Sequence, residues 1–188
     1  MLETLESIDR DLLLFLNGLH QDWLDPIMEL VTGKWIWVPL YAFILFMTYR
    51  KFGIKGWGLA ILLSYALMLG MNDLGSVHLF KRVFMRFRPC HNLEIQNLLY
   101  LLPGHCSGKY GLISSHAANT FGLAIYVSLL FRTKWVWWAM FAWAAVVSYS
   151  RIYLGVHYPS DIVAGALWGM ACSTFLFFLV RKFFITRL

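Results

Sequence analysis

Five apolar runs, separated by short charged connectors, limit what this chain can fold into. The first is strongly apolar from Trp35 to Tyr49. The others are roughly Trp57–Val77, Ala117–Phe131, Trp135–Tyr149 and Asp161–Val180. A bilayer core of about 30 Å needs about 20 helical residues. The sequence is 60% hydrophobic and 14% charged over 188 residues, whereas soluble domains run near ~45–50% and ~25%. An all-α integral membrane bundle of about five transmembrane helices is therefore expected. No polar linker divides it, so residues 1–188 read as a single domain.

The net charge of +6 does not imply nucleic acid. The basic residues sit in short interruptions between apolar runs, where topology and anionic headgroups place them. Glu3, Glu6, Asp9 and Asp11 near the start are the reverse of a basic signal-peptide n-region, so no cleavable signal is expected. Leu5, Ile8, Leu12, Leu16 and Leu19 follow a 3–4 spacing. The N-terminal region, residues 1–25, thus reads as an amphipathic helix, lying in the interface or folded back onto the bundle. Asp25-Pro26 looks like an N-cap followed by proline at the first helical position. On that reading the first spanning helix begins at Pro26 and runs through the membrane to Tyr49. Trp35, Trp37, Trp135, Trp137 and Trp138 sit at segment ends, as an aromatic belt does. Gly165 and Gly169 predict close helix packing in the last span.

Five spans put the basic groups Arg50/Lys51/Lys55, Arg132/Lys134 and Arg181/Lys182/Arg187 on one side, expected to be cytoplasmic. These hold half of the sixteen Lys and Arg. The opposite end then carries three polar stretches. They are Lys81 to Arg88-Pro89, Ser114-Ser115-His116, and Ser150-Arg151 to His157 and Asp161. Charged groups beside hydrocarbon are functional-site hypotheses.

Lys81 and Arg88 are seven residues apart, about two helical turns, so on one helix both point to one face. Alone they read as a snorkelling basic cap, a reading that suits Arg82 and Arg86. Ser114-Ser115-His116 opens a helix, whose N-terminus attracts anions; alone it reads as plain capping. Pro159 disfavours helix at Tyr158. His157 is therefore expected on a tight turn, with Asp161 just inside the next helix and reaching back to the imidazole. Three cations, two histidines, an acid and serine hydroxyls suit phosphoryl transfer. No carboxylate cluster suits magnesium, so neither metal nor cofactor is expected.

The combined pattern is Lys–six residues–Arg-Pro, then Ser-x-His, then Ser-Arg–five residues–His–three residues–Asp. It resembles the type 2 phosphatidic acid phosphatase family of membrane lipid phosphatases. Two departures stand out. Ile113-Ser114-Ser115-His116 replaces the family's Pro-Ser-Gly-His, which adds a side chain near the phosphate. The N-terminal amphipathic region also replaces the first of the six spans found in many bacterial members. The resemblance implies His157 as nucleophile through a phosphohistidine, polarised by Asp161. It implies Lys81, Arg88, Arg151, Ser114 and Ser115 as phosphate-binding, and His116 as the proton donor and later acceptor. A membrane lipid phosphate would be the substrate: undecaprenyl diphosphate, phosphatidic acid, phosphatidylglycerophosphate or a lipid A phosphate. A lipid-to-lipid phosphotransferase and a catalytically weak lipid-binding or transport protein are the rivals. The expected setting is a bacterial plasma membrane, with the site facing outward. The external loop, residues 89–113, is bracketed by Cys90-His91 and His105-Cys106. That pattern admits a disulfide between Cys90 and Cys106, free thiols or a zinc site. Cys172, in the last span, reads as a packing residue.

Overall fold

A computed structural model describes residues 2–106 and 108–185 of the chain. Its regular structure is helical: α1 Leu2–Asn17, α2 Asp25–Thr32, α3 Val38–Phe52, α4 Trp57–Gly75, α5 Arg82–Phe84, α6 Ser115–Phe131, α7 Lys134–Tyr153 and α8 Pro159–Val180. A π-helical turn, Ser76–Lys81, joins α4 to α5. Arg187 lies outside the described residues.

Helix α6 forms the centre, packed by α4, α7 and α8. Ser114 caps its start by accepting from the Ala117 N–H at 3.4 Å. Gly165 and Gly169 let α8 approach it closely. A Cβ at Gly169 would stand 1.9 Å from the Ala118 carbonyl oxygen, and one at Gly165 2.4 Å from that of Ser114. Ile61, Met68, Tyr126, Ala144 and Phe177 fill the apolar middle.

Among the described residues, two helical stretches are long and apolar enough to cross a membrane, Gly58–Phe84 and Pro159–Phe183. The expected first span is not one straight helix. Its halves, Asp25–Thr32 and Trp35–Phe52, meet at 71°. The proline at position 26 does start a helix, but that helix stops at Gly33, which breaks helix readily. Two helices reach past their apolar runs, α6 starting at Ser115 and α7 continuing to Tyr153.

Asp25 is not an N-cap; Leu24 is, without a side-chain bond. The Asp25 carboxylate instead accepts from the Tyr100 and Tyr153 hydroxyls.

Helix α1 packs against α7 and α8. Leu5, Ile8, Leu12 and Leu19 remain exposed, while Asp9, Leu13 and Asn17 are buried against the bundle. Asn17 donates to the carbonyl oxygens of Tyr100 and Tyr153 at 3.0 and 2.7 Å, and accepts from the Tyr100 N–H at 2.8 Å. Much of the apolar stripe thus faces away from the bundle, while Leu13 and Leu16 pack with Ile95, Ile152 and Tyr158 and the polar Asp9 and Asn17 sit beside them.

Candidate active site

Everything at the polar end depends on how the chain turns between α7 and α8. Gly155 takes φ of 66°, a left-handed conformation that glycine adopts without penalty. The Val156 N–H then bonds back to the Arg151 carbonyl at 3.1 Å. Pro159 begins α8, and Asp161 falls in its first turn. The Asp161 Oδ2 atom lies 3.2 Å from His157 Nδ1 and accepts from the Tyr158 N–H at 3.1 Å. With Nδ1 facing the carboxylate, Nε2 is the imidazole nitrogen left for other chemistry.

His157 is 1% exposed. Burial pulls its pKa down to about 4; the bond to Asp161 opposes this, and the charges of Arg88 and Arg151 reinforce it. The ring is therefore neutral at pH 7.

Lys81 and Arg88 do not share a helix face, contrary to the spacing argument. The helix ends at Met85, whose φ is 45°, and the chain is extended by Arg88. Pro89 favours that extended conformation in the residue before it. Lys81 donates to the Ser115 hydroxyl at 2.8 Å, and that hydroxyl pairs with Ser76 at 2.6 Å. Arg88 Nε donates to the Tyr110 carbonyl at 3.2 Å. The neighbouring Gly111 leaves room for this: a Cβ there would sit 2.9 Å from Asp161 Oδ2. Arg151 Nη1 donates to the Thr32 hydroxyl. Arg88 Nη1 and Arg151 Nε are buried with no hydrogen-bond partner among the described residues. Buried donors of this kind are uncommon.

The segments converge electrostatically as well. Lys81 lies within reach of the charges of Arg88, Arg151 and Asp161. His116 is within reach of Arg88, Arg151 and His157. Ser114 is fully buried; besides its capping bond, its N–H donates to the Asp161 carbonyl at 3.0 Å.

Several site residues were not foreseen. The α2–α3 elbow brings Thr32 to Arg151 and the charge of Lys34 within reach of His116. Thr32, Lys34, Ser115 and His116 line one part of a cavity of about 650 Å³, whose lining continues to Tyr41, Ile44 and Met68. Thr32-Gly33-Lys34, a polar break between two apolar runs, was the sequence signal for that elbow.

Arg86 also departs from expectation. It is no snorkelling cap: it pairs with Asp9 at 2.7 Å and with Asp161 at 3.2 Å. Once Pro89 makes the chain extended, the short spacing of Arg86 and Arg88 was the available hint.

In the loop of residues 89–113, Cys90 and Cys106 form a disulfide across a sequence separation of 16. His91 Nε2 lies 3.5 Å from Cys106 Sγ. Cys90, His91 and Cys106 have zinc-ligand chemistry and stand close together. A disulfide, however, leaves no thiolate to bind a metal. His105 pairs with Glu29 at 2.9 Å, tying the loop to α2.

A family model described as the PAP2 superfamily matches residues 57–185. The chain is 40% identical to a lipid A 4'-phosphatase of Bacteroides thetaiotaomicron, over 97% of this chain and 81% of that protein. It is 36% identical to a lipid A 4'-phosphatase of Porphyromonas gingivalis, over 94% and 74%. Among solved structures, it resembles a transmembrane PAP2-type phosphatidylglycerolphosphate phosphatase from Bacillus subtilis. That match has a TM-score of 0.69 and 25% identity, covering 96% of this chain and 86% of the other. With an all-helical bundle, membrane-length apolar helices and relatives that are lipid phosphatases, this chain belongs to the PAP2 superfamily.

Proposed function

We propose that the chain is a lipid phosphatase that hydrolyses a phosphate monoester on the saccharide headgroup of a lipid A-type lipid, through a phosphohistidine intermediate. The observation that carries the chemistry is the His157–Asp161 pair: a buried, neutral imidazole with Nδ1 on the carboxylate. The names of the two relatives aligned along nearly the whole chain support the substrate.

A phosphate monoester carries about −1.5 to −2 charge at pH 7. Lys81, Arg88 and Arg151 would hold its equatorial oxygens, helped by Ser115 and the first N–H groups of α6. Ser114 would support that helix start. His157 Nε2 attacks phosphorus and the bond to the leaving oxygen breaks; His116, entering as the imidazolium once the phosphate dianion is bound beside it, gives that oxygen its proton. Asp161 stabilises the positive charge that develops on His157. In the second step His116 takes a proton from water, whose oxygen attacks phosphorus. The N–P bond breaks, and phosphate and neutral His157 are restored. The three cations provide the charge neutralisation, so the reaction is proposed to need no added metal. The cavity past His116 would take the lipid's apolar part.

We place the site on the outer face of the membrane. The Cys90–Cys106 disulfide, on the same loop as Arg88, favours an oxidising compartment.

The test is phosphate release in EDTA from lipid A bearing a 4'-phosphate, undecaprenyl diphosphate, phosphatidylglycerophosphate and phosphatidic acid. Lipid A is expected to be the best substrate. His157→Ala should lose at least about 10³-fold in kcat. Full activity in His157→Ala would remove the phosphohistidine route. Recovery of the phosphoryl group on a second lipid instead of as free phosphate would make the protein a phosphotransferase.

A further inference from the structure

We propose that Asp9 and Arg86 form a positioning pair that orients the Asp161 carboxylate, making the N-terminal helix part of the catalytic apparatus. The proposal rests on the assignment of Asp161 and His157 given above.

The Arg86 guanidinium forks between two carboxylates. Nη2 donates to Asp9 Oδ2 at 2.7 Å, and Nη1 donates to Asp161 Oδ1 at 3.2 Å. Nη1 also donates to the Ser160 hydroxyl at 2.7 Å. The plane of charge rests 4.0 Å from the centre of the Tyr158 ring, which further restricts it. Arginine suits such a site because its donors are held in a rigid fork. The two Asp161 oxygens thereby have different duties: Oδ2 meets His157 and the Tyr158 N–H, while Oδ1 meets Arg86. Without Arg86, Oδ1 loses this charge-assisted bond in a side chain with no exposed surface. The carboxylate could then rotate away from the imidazole.

Asp9 completes the device. It accepts from the Ser160 N–H at 2.8 Å and from the Ser160 hydroxyl. Ser160 precedes Asp161 in the first turn of α8, so Asp9 grips both Arg86 and the turn that Arg86 serves. Asp9 is only 8% exposed, although it lies on an amphipathic helix where an acid is expected to face water. The charged and titratable groups facing Asp161 are Arg86 and Arg88 from the segment after α5, Lys81 from the π turn, and His157 and Tyr158 from its own turn. Asp9 of α1 acts through Arg86.

The experiment uses the full chain in detergent, with phosphate release from lipid A as the readout. Arg86→Met should lower kcat about 10- to 100-fold, the range for outer partners that orient a reactive group, with KM within about threefold. The acid limb of its kcat profile should move to lower pH, because the imidazole loses part of the carboxylate bond that holds its pKa up. Arg86→Lys should recover part of both effects. Asp9→Asn should lose about tenfold, and the double variant Asp9→Asn/Arg86→Met should be no worse than Arg86→Met alone. Wild-type kcat in Arg86→Met, with His157→Ala inactive, would overturn the pair and leave the phosphohistidine reading standing. An active His157→Ala would remove that reading first. A loss of kcat with an unmoved acid limb and no rescue by lysine would reduce the pair to a structural staple, which also overturns the proposal.

Discussion

Where α8 crosses α6, backbone meets backbone: Gly169 lies against Ala118 and Gly165 against Ser114. At the start of the same helix, Ser160 and Asp161 are held by side chains from positions 9, 86 and 157. The crossing is held by shape, through small residues and dispersion contacts. The polar end is held by directional bonds between segments up to 151 positions apart. A bond at the polar end fixes where a charge sits, while a contact at the crossing fixes whether the bundle forms. Changes in the middle should therefore act on folding, and changes at the end should act on chemistry.

The strongest way to break this comparison is at the crossing. Gly169→Leu brings a side chain where even a Cβ would stand 1.9 Å from a carbonyl oxygen. It should cost more than about 4 kcal/mol, so little folded protein should be recovered by size-exclusion in detergent. Normal yield and melting temperature would show that α6 and α8 can separate freely. A smaller effect belongs to the loop. Cys90→Ser/Cys106→Ser should lose about 3 kcal/mol, read as a lower Tm that reductant reproduces in the wild type. Activity well below that Tm should persist, because the disulfide itself touches no reacting group. The smallest effect sharpens the contrast. Ser115→Gly removes the hydroxyl that receives the Lys81 ammonium, a bond worth about 1 kcal/mol. KM should rise about fivefold with Tm unchanged; a drop in Tm without a change in KM would assign Ser115 to the fold.

How legible each part was depended on distance along the chain. The relation between His157 and Asp161 spans four residues and a proline, so local backbone rules suffice to place it. The glycine pair in α8 announced itself by spacing. Lys81 and Arg88 were harder: the end of the helix at Met85 carries neither glycine nor asparagine to signal a left-handed residue. Only Pro89, further on, hinted that the chain had become extended. Asp9 was hidden by its own helix, because the apolar stripe drew attention to a face that mostly points away from the bundle. The elbow at Gly33, between Thr32 and Lys34, was masked by the longer apolar runs beyond those two residues.

Hydrophobic patterning alone decided that this chain forms apolar helices with the candidate site residues gathered at one end. That follows because burying the backbone in lipid requires helices, and charged residues are driven to the helix ends. Tertiary packing alone decided which cation serves which partner. Arg86 went to two carboxylates, Arg151 to Thr32 and Lys81 to Ser115. Identical charged groups have no local preference among distant partners, so the choice waits until the helices have docked.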